Sequence, residues 1–193
     1  MKIFSSLYQQ LLSWAKHQKA PWLLAGVSFA ESSFFPIPPD TMLIPMGLAH
    51  PQRAWRFACI ATISSVLGAI LGYFLGSYFI ALIMPWLQSP SYIDAYRTAS
   101  TQFIEYGVWI ILIAGFTPVP YKIFTLTAGA MHMPLLPFVI ASIIARGARF
   151  YLVSALLFFF GERIEPMIAR YADQLGWATL LLVLIAISIN ALL

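Results

Sequence analysis

The sequence predicts an all-α integral membrane protein, and its composition and proline pattern are the observations that predict it. Of the 193 residues, 61% are hydrophobic and only 9% are charged, with a mean hydropathy of +0.82. A soluble domain of this size could not bury so much apolar surface, so lipid must be its solvent. Pro-x-Pro breaks at Pro36–Pro38 and Pro118–Pro120 interrupt two apolar segments. We therefore expect membrane helices, with the backbone broken in two places.

Residues 1–20 predict an amphipathic helix lying in the membrane interface. Lys2, Lys16 and Lys19 accompany apolar side chains that fall largely on one helical stripe. This pattern is typical of an interfacial helix and differs from the apolar core of a cleaved signal peptide. An ordinary N-terminal core helix is the alternative interpretation.

Three apolar segments predict transmembrane helices. Residues 57–87 and residues 174–193 contain no charged side chain, and both are long enough to span. Residues 134–161 form a third span, which contains Arg146 and Arg149.

Residues 21–49 and residues 106–133 carry the proline breaks and predict re-entrant hairpins. The breaks consist of Pro36, Pro38 and Pro39 in the first segment and Pro118 and Pro120 in the second. A broken backbone leaves peptide groups unpaired in hydrocarbon unless protein or a water-filled cavity satisfies them. Each segment can cross as a kinked helix or turn back, and we favour the hairpin because the limbs are too short to span.

The positions of the basic residues favour hairpins that enter from opposite faces. With both segments re-entrant and the N-terminus cytoplasmic, the outer connection, about residues 88–105, contains only Arg97 as a basic residue. The cytoplasmic side then contains Lys2, Lys16, Lys19, Arg53, Arg56, Arg163 and Arg170. This layout is an inverted repeat, in which broken helices meet near the midplane. The basic flanks also indicate contact with anionic lipid, and no nucleic-acid partner.

The repeat places an acid in one copy and a base in the other. Pro118 follows Pro36 by 82 positions, and Lys122 follows Asp40 at the same offset. Ionisable residues at membrane depth are rare and are usually functional.

Glu31 and Asp40 flank the first break and are the candidate transport or proton-titrating acids. Glu31 has no cationic neighbour in the sequence, so it must find a cation elsewhere in the fold or become protonated. Asp40 could cap the helix that follows it, and capping would not exclude a second role.

Lys122, Arg146 and Arg149 are the candidate residues for headgroup binding or charge pairing. Arg146 and Arg149 are three residues apart and so share one helix face. If all five ionisable residues faced one cavity, three cations against two carboxylates would leave one positive charge. A phosphate-bearing headgroup would supply the missing anion, with arginine as the bidentate partner. In the alternative interpretation these charges pair internally and only hold the hairpins.

Ser64, Gly68, Gly72 and Gly76 form small-xxx-small steps along the first predicted span. We interpret this stripe as close packing against a hairpin in preference to a homodimer seam, although a homo-oligomer stays compatible with the sequence.

Motifs for several enzyme classes are missing from the sequence. It contains no Gly-x-Ser-x-Gly nucleophile elbow and no Walker phosphate loop. Cys59 is the single cysteine and the three histidines are scattered, so no disulfide or metal site is indicated. We therefore expect a protein that is not an enzyme, with no catalytic residues and no cofactor.

The broken segments resemble those of the DedA family, the bacterial branch of the VTT-domain (SNARE-associated Golgi protein) superfamily. Residues 29–40, FAESSFFPIPPD, resemble its first hairpin signature, and residues 115–122, GFTPVPYK, resemble its second. The segment Arg146-Gly-Ala-Arg149-Phe150 adds to the similarity, which covers about residues 21–165 and is greatest to the YqaA-type branch.

The resemblance implies a bacterial inner-membrane protein whose hairpins face each other. It also implies movement of lipids between leaflets, either flipping of polyprenyl phosphates or scrambling of phospholipids, with proton coupling proposed for some relatives. Glu31 and Asp40 match the acidic positions of the first hairpin. In the second hairpin, Gly115 stands where relatives carry an arginine, and Lys122 approximates the other arginine. A proton-coupled transporter of a small ion or solute, or a membrane-assembly factor that transports nothing, would fit the same charge pattern.

Overall fold

The computed structural model describes residues 14–15, 17–33, 38–83, 90–116 and 121–161. Almost all of these residues are helical and none of them forms a strand, so the all-α prediction is confirmed. The predicted C-terminal helix, most of the predicted N-terminal helix, and the break residues Pro36, Pro118 and Pro120 lie outside the described ranges.

The principal helices are numbered here in chain order. The first unit consists of α1 (Ala20–Ser33) and α2 (Asp40–Ala49), and a 3₁₀ turn at Pro51–Arg53 leads into α3 (Ala54–Ile83). The second unit consists of α4 (Pro90–Ala114) and α5 (Tyr121–Ala130), followed by α6 (Leu135–Gly161).

Two of the described helices are long and apolar enough to cross a membrane. They are Pro51–Leu82, which includes all of α3 except Ile83, and Leu135–Gly161, which is α6. These helices coincide with the spans predicted at residues 57–87 and 134–161, and the first begins several residues earlier than predicted.

α4 begins well before the predicted start of the second hairpin at residue 106. The sequence predicts an outer connection at about residues 88–105, yet the chain is helical from Pro90 onward. Proline is well tolerated in the first turn of a helix, and no further proline or glycine interrupts the chain before Gly107. The polar residues Asp94, Arg97 and Glu105 are exposed on this helix, so polarity here marks a solvated helical face.

α3 contacts both units through its small residues. A side chain at Gly68 would overlap the Phe29 carbonyl of α1, and one at Gly76 would overlap the Leu126 carbonyl of α5. Backbones can approach this closely only where the helix surface lacks side chains. The interpretation of this stripe as packing against the broken segments is therefore confirmed at Gly68 and Gly76.

The first unit begins and ends beside the amino end of α3, where Leu24 of α1 lies in the same buried cluster as Phe57 and Ala58. Ser32, near the end of α1, reaches Ser65 of α3, with 2.7 Å between the two hydroxyl oxygens. Gly68 lies against Phe29, so α1 and the first half of α3 run side by side. α2 then returns, and its last residue, Ala49, is joined to α3 by the short 3₁₀ turn.

The second unit repeats this arrangement at the amino end of α6. The Tyr96 hydroxyl of α4 donates to the Ala130 carbonyl at 2.6 Å, and the Ser100 hydroxyl donates to the Met131 carbonyl at 2.9 Å. The first turns of α4 therefore lie beside the last turn of α5. α6 begins only a few residues further along the chain.

Each unit has its own apolar cluster, and α3 and α6 contribute to both. The first cluster contains Leu24 of α1 and Leu43 of α2, together with Phe150 of α6. The second contains Ile111 of α4 and Phe138 of α6. α3 and α6 therefore form the common frame on which the two broken units are held.

We expect Gly76→Ala to lower the free energy of unfolding in detergent by about 1–3 kcal/mol, because its methyl group would overlap the α5 backbone. Gly26→Ala in α1 is the matched control, since a methyl group there would meet nothing within 4 Å. Reversible unfolding of both variants, followed by circular dichroism, checks this. Equal stabilities would contradict the close packing of α3 on α5.

Candidate functional site

An ion pair between Glu31 and Arg146 joins the end of α1 to the middle of α6. The Arg146 side chain is 1% exposed and the Glu31 side chain is 8% exposed. Burying either charge alone would be strongly unfavourable, so each depends on the other. Of the two alternatives that the sequence left open for Glu31, a cationic partner or protonation, the structure supplies the partner, Arg146.

A chain of serine hydroxyls closes the network on the α3 side. Arg146 Nε donates to Ser65 Oγ at 2.6 Å, and Ser65 Oγ lies 2.7 Å from Ser32 Oγ. Ser32 Oγ in turn donates to Glu31 Oε2 at 3.2 Å. Buried ion pairs are tolerated when further hydrogen bonds satisfy their remaining donors and acceptors, and these serines meet that condition.

Tyr121, the first residue of α5, brings the second unit to the same ion pair. Its backbone N–H donates to Glu31 Oε1 at 3.3 Å, so the carboxylate faces the positive end of α5. The Tyr121 ring centroid lies 4.7 Å from the Arg146 Cζ atom, and the Phe150 ring centroid lies 4.8 Å from it. Both rings are within the range of cation–π attraction. The residues beside the two breaks therefore meet at one guanidinium group.

A second ion pair, between Asp40 and Arg149, lies one helical turn further along α6. The side chains of Asp40 and Arg149 are 21% and 23% exposed, so this pair is far more accessible than the first. Asp40 Oδ1 is itself buried and has no hydrogen-bond partner within the described residues.

Capping by Asp40 is the alternative role that the structure contradicts. Pro39 occupies the N-cap position of α2, and no side chain caps that end of the helix. Asp40 lies in the first turn instead, with its carboxylate directed to Arg149. An acidic residue in the first turn still interacts favourably with the helix dipole.

Lys122 is the remaining candidate cation, and it lies in the first turn of α5, half-buried, next to Tyr121. Its carbonyl accepts a hydrogen bond of 3.0 Å from the Thr125 hydroxyl. Pro38 and Pro39 precede α2 directly, Pro38 exposed and Pro39 buried. Within the described ranges, no group of three or more His, Cys, Asp or Glu residues could hold a metal ion.

The sequence does not predict the neutral residues that surround the first ion pair. The small-residue stripe of α3 contains Ser64, whereas Ser65 lies about 100° further around the helix. Tyr121 was part of a quoted motif, yet nothing in the sequence indicated that it contacts Arg146. Ser142, one turn before Arg146 on α6, accepts a 3.0 Å hydrogen bond from the Tyr121 hydroxyl.

Comparison with known proteins gives one family match. The family model for the VTT domain matches residues 37–161. This range includes Asp40, Lys122 and both arginines, and it begins six residues after Glu31. No solved structure matches the chain.

Two curated relatives cover nearly the whole chain, and a third covers part of it. An uncharacterized protein of Haemophilus influenzae is 41% identical over 186 residues, which are 96% of this chain and 97% of the relative. An uncharacterized protein of Histophilus somni is 41% identical over 185 residues, with the same coverage of both chains. An uncharacterized archaeal protein from Methanocaldococcus jannaschii is 28% identical over 121 residues, 62% of this chain and 72% of the relative.

We expect Glu31→Gln and Arg146→Gln each to lower the free energy of unfolding by about 3–5 kcal/mol, because each leaves a buried charge without its partner. The double variant should lose much less free energy of unfolding than the sum of the losses in the two single variants. The matched cycle uses Asp40→Asn and Arg149→Gln, whose partly exposed pair should show a smaller coupling energy. Unfolding titrations of all six variants in one detergent check this. Additive losses in the Glu31–Arg146 cycle would contradict the proposed dependence.

Proposed function

Because the chain belongs to the VTT-domain (DedA) family, we propose that it is a membrane lipid transporter of the flippase or scramblase type. Its cargo would be a lipid with a phosphate headgroup, either a polyprenyl phosphate or a phospholipid. The observation that carries this proposal is the pair of adjacent arginine–carboxylate ion pairs where the two broken units meet. Guanidinium groups bind phosphate oxygens in a bidentate geometry, which suits them to a headgroup.

The proposed topology is an inverted repeat of two re-entrant hairpins. It is supported by α1 and α2 beginning and ending beside the amino end of α3, and by α4 and α5 doing so beside the amino end of α6. If α3 and α6 span the bilayer in opposite directions, the two units enter it from opposite faces. Irregular backbone at membrane depth is tolerated where it is enclosed by protein in this way.

We place the protein in a bacterial inner membrane with its N-terminus in the cytoplasm. The Haemophilus and Histophilus relatives support the compartment. The excess of lysine and arginine on the N-terminal flank and around Arg53 and Arg56 supports the orientation.

The two ion pairs would have different roles in transport. Arg146 is enclosed by Glu31, Ser65 and Tyr121, so it would hold the hairpins in position. Arg149 is partly exposed, so an entering phosphate could reach its guanidinium group. With Lys122 included, the ionisable set carries three cations and two carboxylates and favours an anionic headgroup.

Protonation of Asp40 offers a direct link between proton binding and headgroup binding. A proton on the Asp40 carboxylate would remove the negative charge that Arg149 pairs with. The Arg149 guanidinium group could then bind the lipid phosphate, and loss of the proton would restore the ion pair and release the lipid. The acyl or prenyl chains would stay in the bilayer, against the many apolar side chains that face outward.

We expect cysteines at Gln18 and Gln52 to react with a membrane-impermeant maleimide from one side of the membrane, and cysteines at Thr98 and Pro134 from the other side. Re-entrant hairpins require each pair to share a side. The single cysteines are introduced into a Cys59→Ser background and labelled in oriented vesicles. Labelling of positions 18 and 52 from opposite sides would show that the first unit crosses the membrane completely.

We expect the purified protein to accelerate leaflet exchange of fluorescent phosphatidylglycerol or polyprenyl phosphate in reconstituted vesicles. Arg149→Gln should slow exchange about tenfold, which corresponds to the loss of about 1.4 kcal/mol of headgroup interaction. Asp40→Asn should also slow exchange, because its neutral side chain cannot restore the ion pair that releases the lipid. Arg97→Gln is the matched control, because Arg97 is exposed on α4, away from both ion pairs. Exchange is followed by chemical quenching of the outer-leaflet fluorophore.

The same vesicles distinguish the other readings of the charge pattern. Solute-dependent proton flux without lipid movement would identify a transporter of a small ion or solute. If neither lipid nor solute moves in the wild-type vesicles, the transport proposal is overturned and an assembly role is favoured.

A further inference from the structure

A groove of about 360 Å³ lies between α1 and α3, separate from the two ion pairs. Its polar end is formed by Gln18 and Arg56, and its apolar walls include Trp22, Ile60 and Ile63. None of the charged residues of the ion pairs lines it. The groove therefore has the polarity of a lipid, with a cationic end and an apolar length.

The dimensions of the groove fit the outer part of one leaflet. Arg56 and Ile63 are seven residues apart on α3, which corresponds to about 10 Å along the helix axis. The hydrocarbon layer of one leaflet is about 15 Å thick. The groove can thus hold a headgroup at Arg56 and the first part of an acyl chain along Ile60 and Ile63.

Exposed tryptophans place the polar end of the groove at the membrane interface. Trp14, Trp22 and Trp55 are 64%, 80% and 39% exposed, and all lie near the amino ends of α1 and α3. Tryptophan is enriched at the level of lipid headgroups. The Arg56 guanidinium group therefore lies at headgroup depth, with Ile63 (57% exposed) deeper in the acyl region.

The charges around the groove favour an anionic lipid. In the described part of the chain, no ion pair or hydrogen bond joins the Arg56 guanidinium group to another residue. Lys19 and Arg53 are exposed at the same end. The four described carboxylates are all elsewhere, at Glu31, Asp40, Asp94 and Glu105. Juxtamembrane basic residues attract anionic lipids through such unopposed charge.

We propose that this groove binds one anionic phospholipid from the leaflet at the amino end of α3, with its phosphate on Arg56 and one acyl chain beside Ile60 and Ile63. Gln18 would donate a hydrogen bond to the headgroup, and the Trp22 ring would cover the glycerol region. The lipid is a bound ligand of the helix pair, and its binding does not require that the protein transport anything.

Native mass spectrometry of the full-length protein in detergent tests this site. The protein is titrated with phosphatidylglycerol and, in parallel, with zwitterionic phosphatidylcholine of the same acyl chains. Arg56→Gln removes the charge, and Arg97→Gln on α4 is the matched control that removes one exposed arginine elsewhere. Ala25→Phe fills the groove and leaves every charge in place.

The affinity for the first phosphatidylglycerol should fall about fivefold in Arg56→Gln, equivalent to about 1 kcal/mol. It should be unchanged in Arg97→Gln. Ala25→Phe should also weaken it, and phosphatidylcholine should bind no better to wild type than to Arg56→Gln. Equal losses in the two arginine variants, or full binding in Ala25→Phe, would show attraction to net charge alone and overturn the proposal. Binding is measured without flux, so a failed transport assay leaves this result unaffected.

Discussion

The burial of the Arg146 guanidinium group is the constraint on which the rest of the structure depends. This group is almost fully enclosed, and a cation at that depth is stable only when charge and hydrogen-bond partners surround it. Glu31 arrives from α1, Ser65 from α3, and Tyr121 from α5. The requirement of one side chain therefore brings four helices together at one point, in addition to the close packing at Gly68 and Gly76.

The two ion pairs both involve arginines of α6, but they differ in how exposed their side chains are. Glu31–Arg146 is sealed by aromatic rings and serines, so it behaves as a structural pin. Asp40–Arg149 keeps about a fifth of each side chain exposed, so its partners can be exchanged. In the transport that we propose, the first pair would keep the shape of the site while the second pair opened to bind and release the headgroup.

Much of the fold could be predicted from the sequence because hydropathy and proline position report directly on membrane helices. The helices at α1, α2, α3 and α6 all follow from apolar length and from breaks. The start of α4 could not be predicted, because exposed polar residues look alike in a helix and in a connection. The ion-pair partners could not be identified from the sequence, since Glu31 and Arg146 are 115 residues apart and meet only in the folded structure. Neutral groups such as Ser65 carry no signal at all until the helix that they face is known.

That separation of 115 residues has a consequence for biosynthesis. Glu31 leaves the ribosome well before Arg146 exists, and at about 5–20 residues per second the delay is roughly 6–23 s. During this time the first broken unit has its acid but lacks its guanidinium partner. The buried network around Glu31 can therefore be completed only after α6 has been synthesised. Formation of the buried ion pair is thus a late event in the biosynthesis of this protein, and it depends on a helix made more than a hundred residues after its acid.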